Sequence, residues 1–125
     1  MRRNDGAARA RALIGTRFRP QGRGPDGLDC VGLAAAALGL GETRRDYRLR
    51  GGDLARLEAG LAEAGLRPVE EKATGDVIVL RSGPGQLHLG VWTGDGLVHA
   101  DAGLRRVVER PGAPPWPILG IWRKE

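Results

Sequence analysis

The sequence has few of the residues that usually mark a disulfide framework, a metal cluster or a membrane span. Its 125 residues include one cysteine, two histidines, three tryptophans, one tyrosine and one phenylalanine. A single cysteine excludes an internal disulfide and any metal site built from several cysteines, and we expect neither a metal nor a cofactor. No stretch approaches the roughly eighteen apolar residues of a transmembrane helix. The length is that of one domain, 1–125, with a core large enough to fold without disulfides or a bound metal.

Acidic residues are scarce in the first half of the chain. Residues 1–50 hold eleven basic and five acidic residues, and the formal net charge of the whole chain is +5. Aromatic residues are scarce, and no series of them forms a base-stacking platform along the arginines, which disfavours nucleic acid as the partner. An acidic polymer of another kind, such as a bacterial cell wall, suits the charge equally well.

Helical signals fill the first half of the chain. We predict helices over 6–14, with Ala8, Ala12 and Leu13 facing inward, over 31–40 and over 53–65. Between the first two, 16–29 is rich in glycine and proline, so we predict a long loop that forms one wall of a cleft. The arginine-rich stretch 41–52 is interpreted as a surface excursion, either a solvated loop or a basic patch that faces substrate.

Strand signals fill the second half. β-branched runs and glycine-containing turns predict about five strands, over 76–81, 87–92, 97–101, 105–109 and 118–123. An Asp-Gly turn between the second and third of them predicts a hairpin. Helices followed by an antiparallel meander indicate an α+β fold, with N-terminal helices packed on an antiparallel sheet.

The single cysteine stands where a glycine-broken loop becomes a helix. Asp29 is a candidate N-cap and Cys30 falls in the first turn, where unpaired amides and the helix dipole favour a thiolate over a thiol. A thiolate there would suit a cysteine hydrolase, with backbone N–H groups available for an oxyanion. The alternative is that a lone cysteine among alanines is only a small buried hydrophobe.

Both histidines lie on neighbouring predicted strands. A thiol nucleophile needs an imidazole base, and the imidazole needs a third polar group to orient it. His88 and His99 could supply these two roles if the hairpin register turns both side chains to one face. The alternative is that they are ordinary half-buried strand residues.

Three segments together resemble a known family. Residues 29–33 (DCVGL), 75–77 (GDV) and 88–100 (HLGVWTGDGLVHA) are similar, in the same order, to the D-C-S-G-L, G-D-L and H-V-G-I-Y-x-G-x-G-x-x-x-H-A motifs of NlpC/P60 cysteine peptidases. The upstream GTRFR of 15–19 resembles the family's G-x-P-Y segment. The resemblance runs over nearly the whole chain and implies a papain-like core.

The resemblance also implies an activity and its residues. The family hydrolyses an amide bond in peptidoglycan stem peptides, typically between D-glutamate and the diamino acid. The matching positions make Cys30 the nucleophile, His88 the general base and His99 the orienting residue. Asp29 would cap the helix, bind substrate or do both. Phe18 matches a cleft-lining tyrosine of the family, and the nearby Gln21 could supply the polar group that Phe18 lacks.

Four departures from the motifs raise specific questions. Val31 stands in place of serine, Phe18 in place of tyrosine and Arg17 in place of proline. The interval from His88 to His99 is one residue shorter than the common pattern, which would turn His99 to the other face unless the turn absorbs the change. We therefore keep Asp101 as the reserve third member of the triad.

Several hypotheses about the function follow from these observations. The short form without an apparent secretory signal looks most like members carried by phage tails or gene-transfer particles, so we expect synthesis in the bacterial cytoplasm and delivery to the wall by a particle. One alternative is a related thiol amidase or acyltransferase that acts on another substrate. A second is a non-catalytic structural or wall-binding module of a phage tail.

Overall fold

Three helices and eight strands form the part of the chain that the structure describes. The computed structural model describes residues 3–24, 26–40 and 52–124. The predicted arginine-rich excursion over 41–52 lies outside these residues, apart from Gly52. The elements in chain order are α1 (Arg3–Ala12), β1 (Arg23–Gly24), β2 (Gly27–Leu28), α2 (Cys30–Leu38), α3 (Leu54–Glu63), β3 (Leu66–Val69), β4 (Val77–Gly83), β5 (Gln86–Trp92), β6 (Gly96–Asp101), β7 (Arg106–Pro111) and β8 (Ile118–Lys124).

The main sheet has six antiparallel strands in the order β3-β8-β4-β5-β6-β7. The predicted meander is present as β4 to β7, and β8 returns to pair with β4. The edge strand β3 was missed. It contains Pro68, which cannot donate a ladder hydrogen bond and is tolerated only at an edge or a strand start. None of the helices described is long and apolar enough to cross a membrane.

The two faces of the sheet are buried differently. Val77 and Val79 of β4 pack in one cluster with Ala34 and Leu38 of α2, whereas Ile78 on the same strand packs in another. The second cluster also holds Leu80 and Leu97 and is covered by Trp92, Trp116 and Ile121. This is the alternation expected of a strand with both faces covered.

Local capping explains why α2 begins and ends where predicted. The Asp29 side chain accepts a hydrogen bond from the Gly32 N–H, and Gly39 ends the helix in the left-handed conformation (φ 63°). The Lys124 ammonium of β8 donates to the carbonyls of Leu38 and Gly39, at 2.9 and 3.2 Å. A cation on the last carbonyls stabilises a helix end. The sheet therefore fixes both the position and the direction of α2.

The buried face of α1 was predicted incorrectly for Ala8 and Ala12, whereas Leu13 packs against the core as predicted. Ala7 and Ala10 are buried, whereas Ala8 and Ala12 are exposed. The helix also begins earlier than expected, at Arg3, so Gly6 lies in its interior. A Cβ at Gly6 would lie 2.6 Å from the Leu38 side chain, so α1 approaches α2 closely at this position. The close approach of the two helices through small residues determines which face of α1 is buried. The composition of the segment alone does not show this contact.

The loop over 16–29 is more ordered than predicted. It contains the short β1–β2 hairpin, and single bridges join Arg17 to Arg106 and Phe18 to Leu28. These contacts tie the segment to β7 and to the entry of α2. Its predicted place as a wall of the cleft is described below.

A buried ion pair joins β4 to the last strand. The Arg123 guanidinium donates to both carboxylate oxygens of Asp76, at 2.9 and 2.8 Å, and the Ala73 N–H donates to the same carboxylate at 2.7 Å. Asp76 is fully buried. The aspartate of the GDV motif therefore has a structural task at the start of β4.

We expect Asp76→Asn to lower the free energy of unfolding by about 3 kcal/mol, because it leaves the guanidinium without its buried counter-charge. Urea denaturation of the two proteins measures the difference. Asp95→Asn is the matched control, since it removes the carboxylate of an exposed pair with Arg11 and should leave stability nearly unchanged. Equal stabilities for wild type and Asp76→Asn would contradict the assigned task.

Candidate active site

A cleft of about 490 Å³ contains every residue that the sequence singled out for the site. The predicted catalytic residues Cys30, His88 and His99 all line it. The other residues of its lining are Phe18, Pro20, Gln21, Asp29, Ser82, Gln86, Ala100, Asp101, Ala102, Gly103 and Trp116. The predicted wall contributes Phe18, Pro20 and Gln21. Trp116 was not predicted.

The Asp29 carboxylate holds the cysteine end of α2 in place. Besides the Gly32 amide (2.7 Å), it accepts from the backbone N–H of Gln21 at 3.1 Å and from the Arg23 guanidinium at 2.8 Å. A carboxylate with these partners connects the loop to the helix. Of the two tasks considered for Asp29, the structure shows capping, and it also places the residue at the cleft.

The Gly32 position lets the loop approach the helix closely. A Cβ there would collide with the carbonyl oxygen of Gly22. The glycine that follows Cys30 by two residues is thus needed for contact between the loop and the first turn of α2. This contact brings Gln21, which has a left-handed φ of 57°, to the cleft.

The Cys30 thiol differs from the sequence-based expectation. Its residue is only 3% exposed, and burial together with the nearby Asp29 charge raises the pKa of the thiol to about 12. Backbone N–H groups of Leu89, Val31 and Cys30 itself oppose this rise. The expected thiolate at a helix N-terminus is therefore wrong for the resting protein, because desolvation outweighs the amides and the dipole. Burial thus favours the neutral thiol form of Cys30.

The two histidines are joined directly. His88 Nε2 and His99 Nδ1 are 2.9 Å apart, and the ring centroids are separated by 5.0 Å with the planes nearly perpendicular. The β5–β6 register pairs Val91 with Val98 and Trp92 with Leu97, which puts His88 and His99 diagonally across one face. The shorter interval therefore does not turn His99 away.

The hydrogen bond between the rings restricts their tautomers. One of the two nitrogens must donate and the other accept. If His88 donates from Nε2, its Nδ1 has no proton and can accept one, and His99 is then protonated on Nε2. Among the described contacts, Cys30 Sγ forms no hydrogen bond with either ring, as is common for apo sites that tighten around substrate.

Burial keeps both imidazoles neutral. It lowers the pKa of His88 to about 4, with a further lowering from His99, while the Asp101 charge acts in the opposite direction. The pKa of His99 is also lowered by burial and, more weakly, by Arg110, again against Asp101. At neutral pH the pair can therefore accept a proton.

Asp101 influences the pair without bonding to it. Its Oδ1 accepts a hydrogen bond from the Leu104 N–H at 3.0 Å, within the turn after β6. In the described structure the group bonded to His88 is thus His99, and the reserve residue Asp101 acts through its charge.

Trp116 covers the histidine pair. Its ring meets His88 and His99 edge-on, with centroid distances of 5.6 and 5.5 Å, and the Arg110 guanidinium lies 5.9 Å from its centre. The residue comes from the proline-rich connection between β7 and β8, where no periodic pattern predicts a buried side. A tryptophan flanked by prolines was the one signal that could have drawn attention to it.

Solved structures share this arrangement of helices and sheet. NlpC1 from Trichomonas vaginalis superimposes with a TM-score of 0.71 at 24% identity, over 98% of this chain and 45% of that protein. The NlpC/p60 domain of the peptidoglycan hydrolase SagA gives 0.60 at 23% identity, over 89% of this chain and 90% of the domain. The fold is that of an NlpC/P60 domain.

Other comparisons define the extent of this likeness. The peptidoglycan hydrolase RipB from Mycobacterium tuberculosis gives a TM-score of 0.61 at 23% identity, over 97% of this chain and 63% of that one. The chain spans about half the length of NlpC1 and of NlpC2 from Trichomonas vaginalis, at 45% and 47%. No protein-family model and no curated protein matches the sequence.

Two of the residues that differ from the NlpC/P60 motifs pack against apolar neighbours in this structure. Val31, in place of serine, is partly buried and packs against the cluster that contains Cys30. Phe18, in place of tyrosine, lines the cleft and packs against Leu28 and its neighbours. Both substitutions exchange a hydroxyl for apolar contact.

The neutral histidines make stability depend on pH. A histidine whose pKa is lower in the folded state binds fewer protons than the unfolded chain between the two pKa values. Stability is therefore complete above about pH 6.5 and is lost as the pH falls toward 4. For His88 the loss between pH 6.5 and 5 is about 1.5 kcal/mol, and His99 acts in the same direction.

Urea denaturation at the two pH values measures this loss. His88→Gln is the control, because glutamine does not titrate, and its unfolding free energy should fall less over the same range. A wild-type stability that stays constant between pH 6.5 and 5 would mean that the histidines are not held neutral.

Proposed function

We propose that this chain is a cysteine peptidase that hydrolyses an amide bond in peptidoglycan stem peptides, typically the bond between D-glutamate and the diamino acid. The observation that carries the proposal is the cleft shared by Cys30, at the start of α2, and the hydrogen-bonded pair of His88 and His99. Nucleophile, base and orienting group are the three parts that thiol hydrolysis requires.

The first chemical step follows from the protonation states. As Cys30 Sγ attacks the carbonyl carbon, its proton passes to Nδ1 of His88. His99 continues to accept the Nε2 proton of the imidazolium that forms, and the Asp101 charge stabilises that cation. The backbone N–H of Cys30, in the first turn of α2, is the proposed donor to the developing oxyanion.

The remaining steps complete the hydrolysis. The tetrahedral intermediate collapses to a thioester on Cys30 as His88 gives its proton to the leaving amine. His88 then takes a proton from water as the water oxygen attacks the thioester carbon. His88 returns this proton to the Cys30 sulfur as the C–S bond breaks, which releases the acid product, ionised in solution, and the free thiol. Every proton transfer uses Nδ1 of His88.

The substrate class is supported by the relatives and by charge. SagA and RipB, whose domains share the fold, are named as peptidoglycan hydrolases. A formal net charge of +5 favours association with an anionic wall polymer. The choice of the bond itself comes from the motif resemblance, and delivery by a phage tail or gene-transfer particle stays a prediction.

A second candidate is a non-catalytic module in which the thiol is idle. The burial of Cys30 and its raised pKa favour this candidate. Slow alkylation of the thiol fits both candidates, so reactivity toward iodoacetamide does not distinguish them. Release of peptides from peptidoglycan distinguishes them, because only the enzyme cleaves its substrate.

We expect Cys30→Ala to abolish the release of peptides from purified peptidoglycan, and His88→Ala to slow it by about a hundredfold or more. His99→Ala should cost about tenfold, the effect of one orienting hydrogen bond, and His99→Asn should recover part of it because an amide oxygen can accept from Nε2. Asp101→Ala should cost less than His99→Ala. Mass spectrometry of the released fragments measures the rates and identifies the bond.

Asp95→Asn, at the far hairpin turn, is the control and should match wild type. Retention of most activity in Cys30→Ala or His88→Ala would refute the mechanism. A loss in Asp101→Ala with none in His99→Ala would assign the third position to Asp101. If the wild type releases no fragments, the remaining hypotheses are a thiol enzyme with a different acyl substrate and a module whose thiol is idle.

The pH profile tests the resting protonation states separately. Activity requires a neutral His88, so kcat/KM should rise through about pH 4 as the imidazole loses its proton, and then stay level to at least pH 9. A resting thiolate–imidazolium pair would instead lose activity once the imidazolium deprotonates at alkaline pH. An acid limb near pH 6.5, or an alkaline limb below pH 9, would contradict the neutral pair.

A further inference from the structure

A second pocket adjoins the cysteine cleft. It has a volume of about 590 Å³ and is lined by Arg17, Phe18, Pro20, Ala102 and Arg105. Three of these residues, Phe18, Pro20 and Ala102, also line the cleft that holds Cys30. One extended substrate can therefore occupy both spaces.

Backbone contacts join the two segments that carry the arginines. The Phe18 N–H donates to the Arg105 carbonyl at 2.9 Å, and the Leu28 N–H donates to the Arg17 carbonyl at 2.9 Å. A bridge between Arg17 and Arg106 continues the contact toward β7. The pocket walls thus come from two segments that are hydrogen-bonded to each other.

Arg105 occupies an unfavourable backbone conformation. Its φ of 62° lies in the left-handed region, where a glycine would be relaxed and a long side chain is strained. Strain of this kind collects at ligand sites, where the side chain is needed. Arg17 adds a second signal, because it stands where the similar motif has proline and no other part of the structure explains it.

Neither guanidinium has an ion-pair partner among the described residues. Arg11, Arg23 and Arg123 bind carboxylates, so these three guanidinium groups are already occupied. Both side chains belong to exposed residues that line the pocket. Two guanidinium groups that line one pocket supply the positive charge and the donors that an oxyanion with two acceptor atoms requires.

We propose that Arg17 and Arg105 form a carboxylate-binding subsite for the peptide whose amide bond is cleaved at Cys30. This inference rests on the proposed function and adds a requirement for a free carboxylate on the substrate. Because the two pockets share Phe18, Pro20 and Ala102, the carboxylate belongs to the same substrate molecule as the scissile bond. A phosphate group of a wall polymer shares the same chemistry, and the experiment distinguishes the two sources.

The kinetic test compares stem peptides with free carboxylates against the same peptides with each carboxylate converted singly to the amide. Arg17→Gln and Arg105→Gly remove one guanidinium each, and glycine also relieves the left-handed strain, so this variant folds at least as readily as wild type. Arg106→Gln is the matched control, because it removes an equal charge from a neighbouring residue outside the pocket. All measurements are made at 150 mM salt, which screens long-range attraction.

The expected result is a KM about tenfold higher in Arg17→Gln and in Arg105→Gly, with kcat unchanged, for the free-carboxylate peptide. Amidation of one particular carboxylate should raise the wild-type KM by a similar factor and make the variants indistinguishable from wild type. Arg106→Gln should match wild type on every peptide. Unchanged KM in both pocket variants, or equal losses on free and amidated peptides, would overturn the subsite.

A binding measurement separates this inference from the proposed activity. In Cys30→Ala, the side-chain Nε–H signals of Arg17 and Arg105 should shift on titration with the free-carboxylate peptide and not with its amide. The same shifts in a wild type that cleaves neither peptide would refute the hydrolysis and retain the subsite. If glycerol phosphate binds more strongly than the peptide, the ligand of the two arginines is a phosphate and not a carboxylate, and the proposal is overturned.

Discussion

The seating of α2 on the sheet is the constraint on which the rest of the structure depends. Leu33 and Ala37 are fully buried against the strands, and Lys124 holds the far end of the helix. At the near end, the Asp29 carboxylate ties the first turn to the loop. The thiol of Cys30 is thereby pressed against the backbone of β5, one residue from His88 along that strand.

The same burial determines the chemistry of the site. It disfavours the charged forms of the thiol and of the two imidazoles, so it raises the pKa of Cys30 and lowers the pKa of His88 and His99. The resting site holds a neutral acid beside a neutral base. Charge then forms only during the reaction, where the oxyanion, the His99 acceptor and the Asp101 carboxylate can act on it. The sheet thus provides a base that is ready at neutral pH without a permanent ion pair.

Local signals in the sequence were enough for much of this architecture. The alanine and leucine run, the Asp29 cap and the Gly39 stop place α2 within two residues, because all three act through the backbone of the helix itself. β-branched runs and glycine turns likewise locate β4 to β8. The meeting of His88 and His99 also followed from the hairpin, although its register depended on how the Thr93–Gly96 turn closes.

The features that escaped prediction depend on contacts between distant segments. The buried face of α1 is selected by the close approach of Gly6 to Leu38, and β3 exists because β8 offers it an edge. Trp116 reaches the histidines from a connection with no periodicity. The protonation state of Cys30 was misjudged for the same reason, since the helix dipole is local and the desolvation comes from the whole fold.

The most direct test of the account is the tautomer of His88 at neutral pH, measured by nitrogen-15 NMR of the histidine rings in the intact protein. The account predicts a neutral ring protonated on Nε2, with that proton shared toward Nδ1 of His99, and with Nδ1 of His88 unprotonated. A ring protonated on Nδ1, or an imidazolium at pH 7, would contradict the assignment of His88 as the base that takes the Cys30 proton.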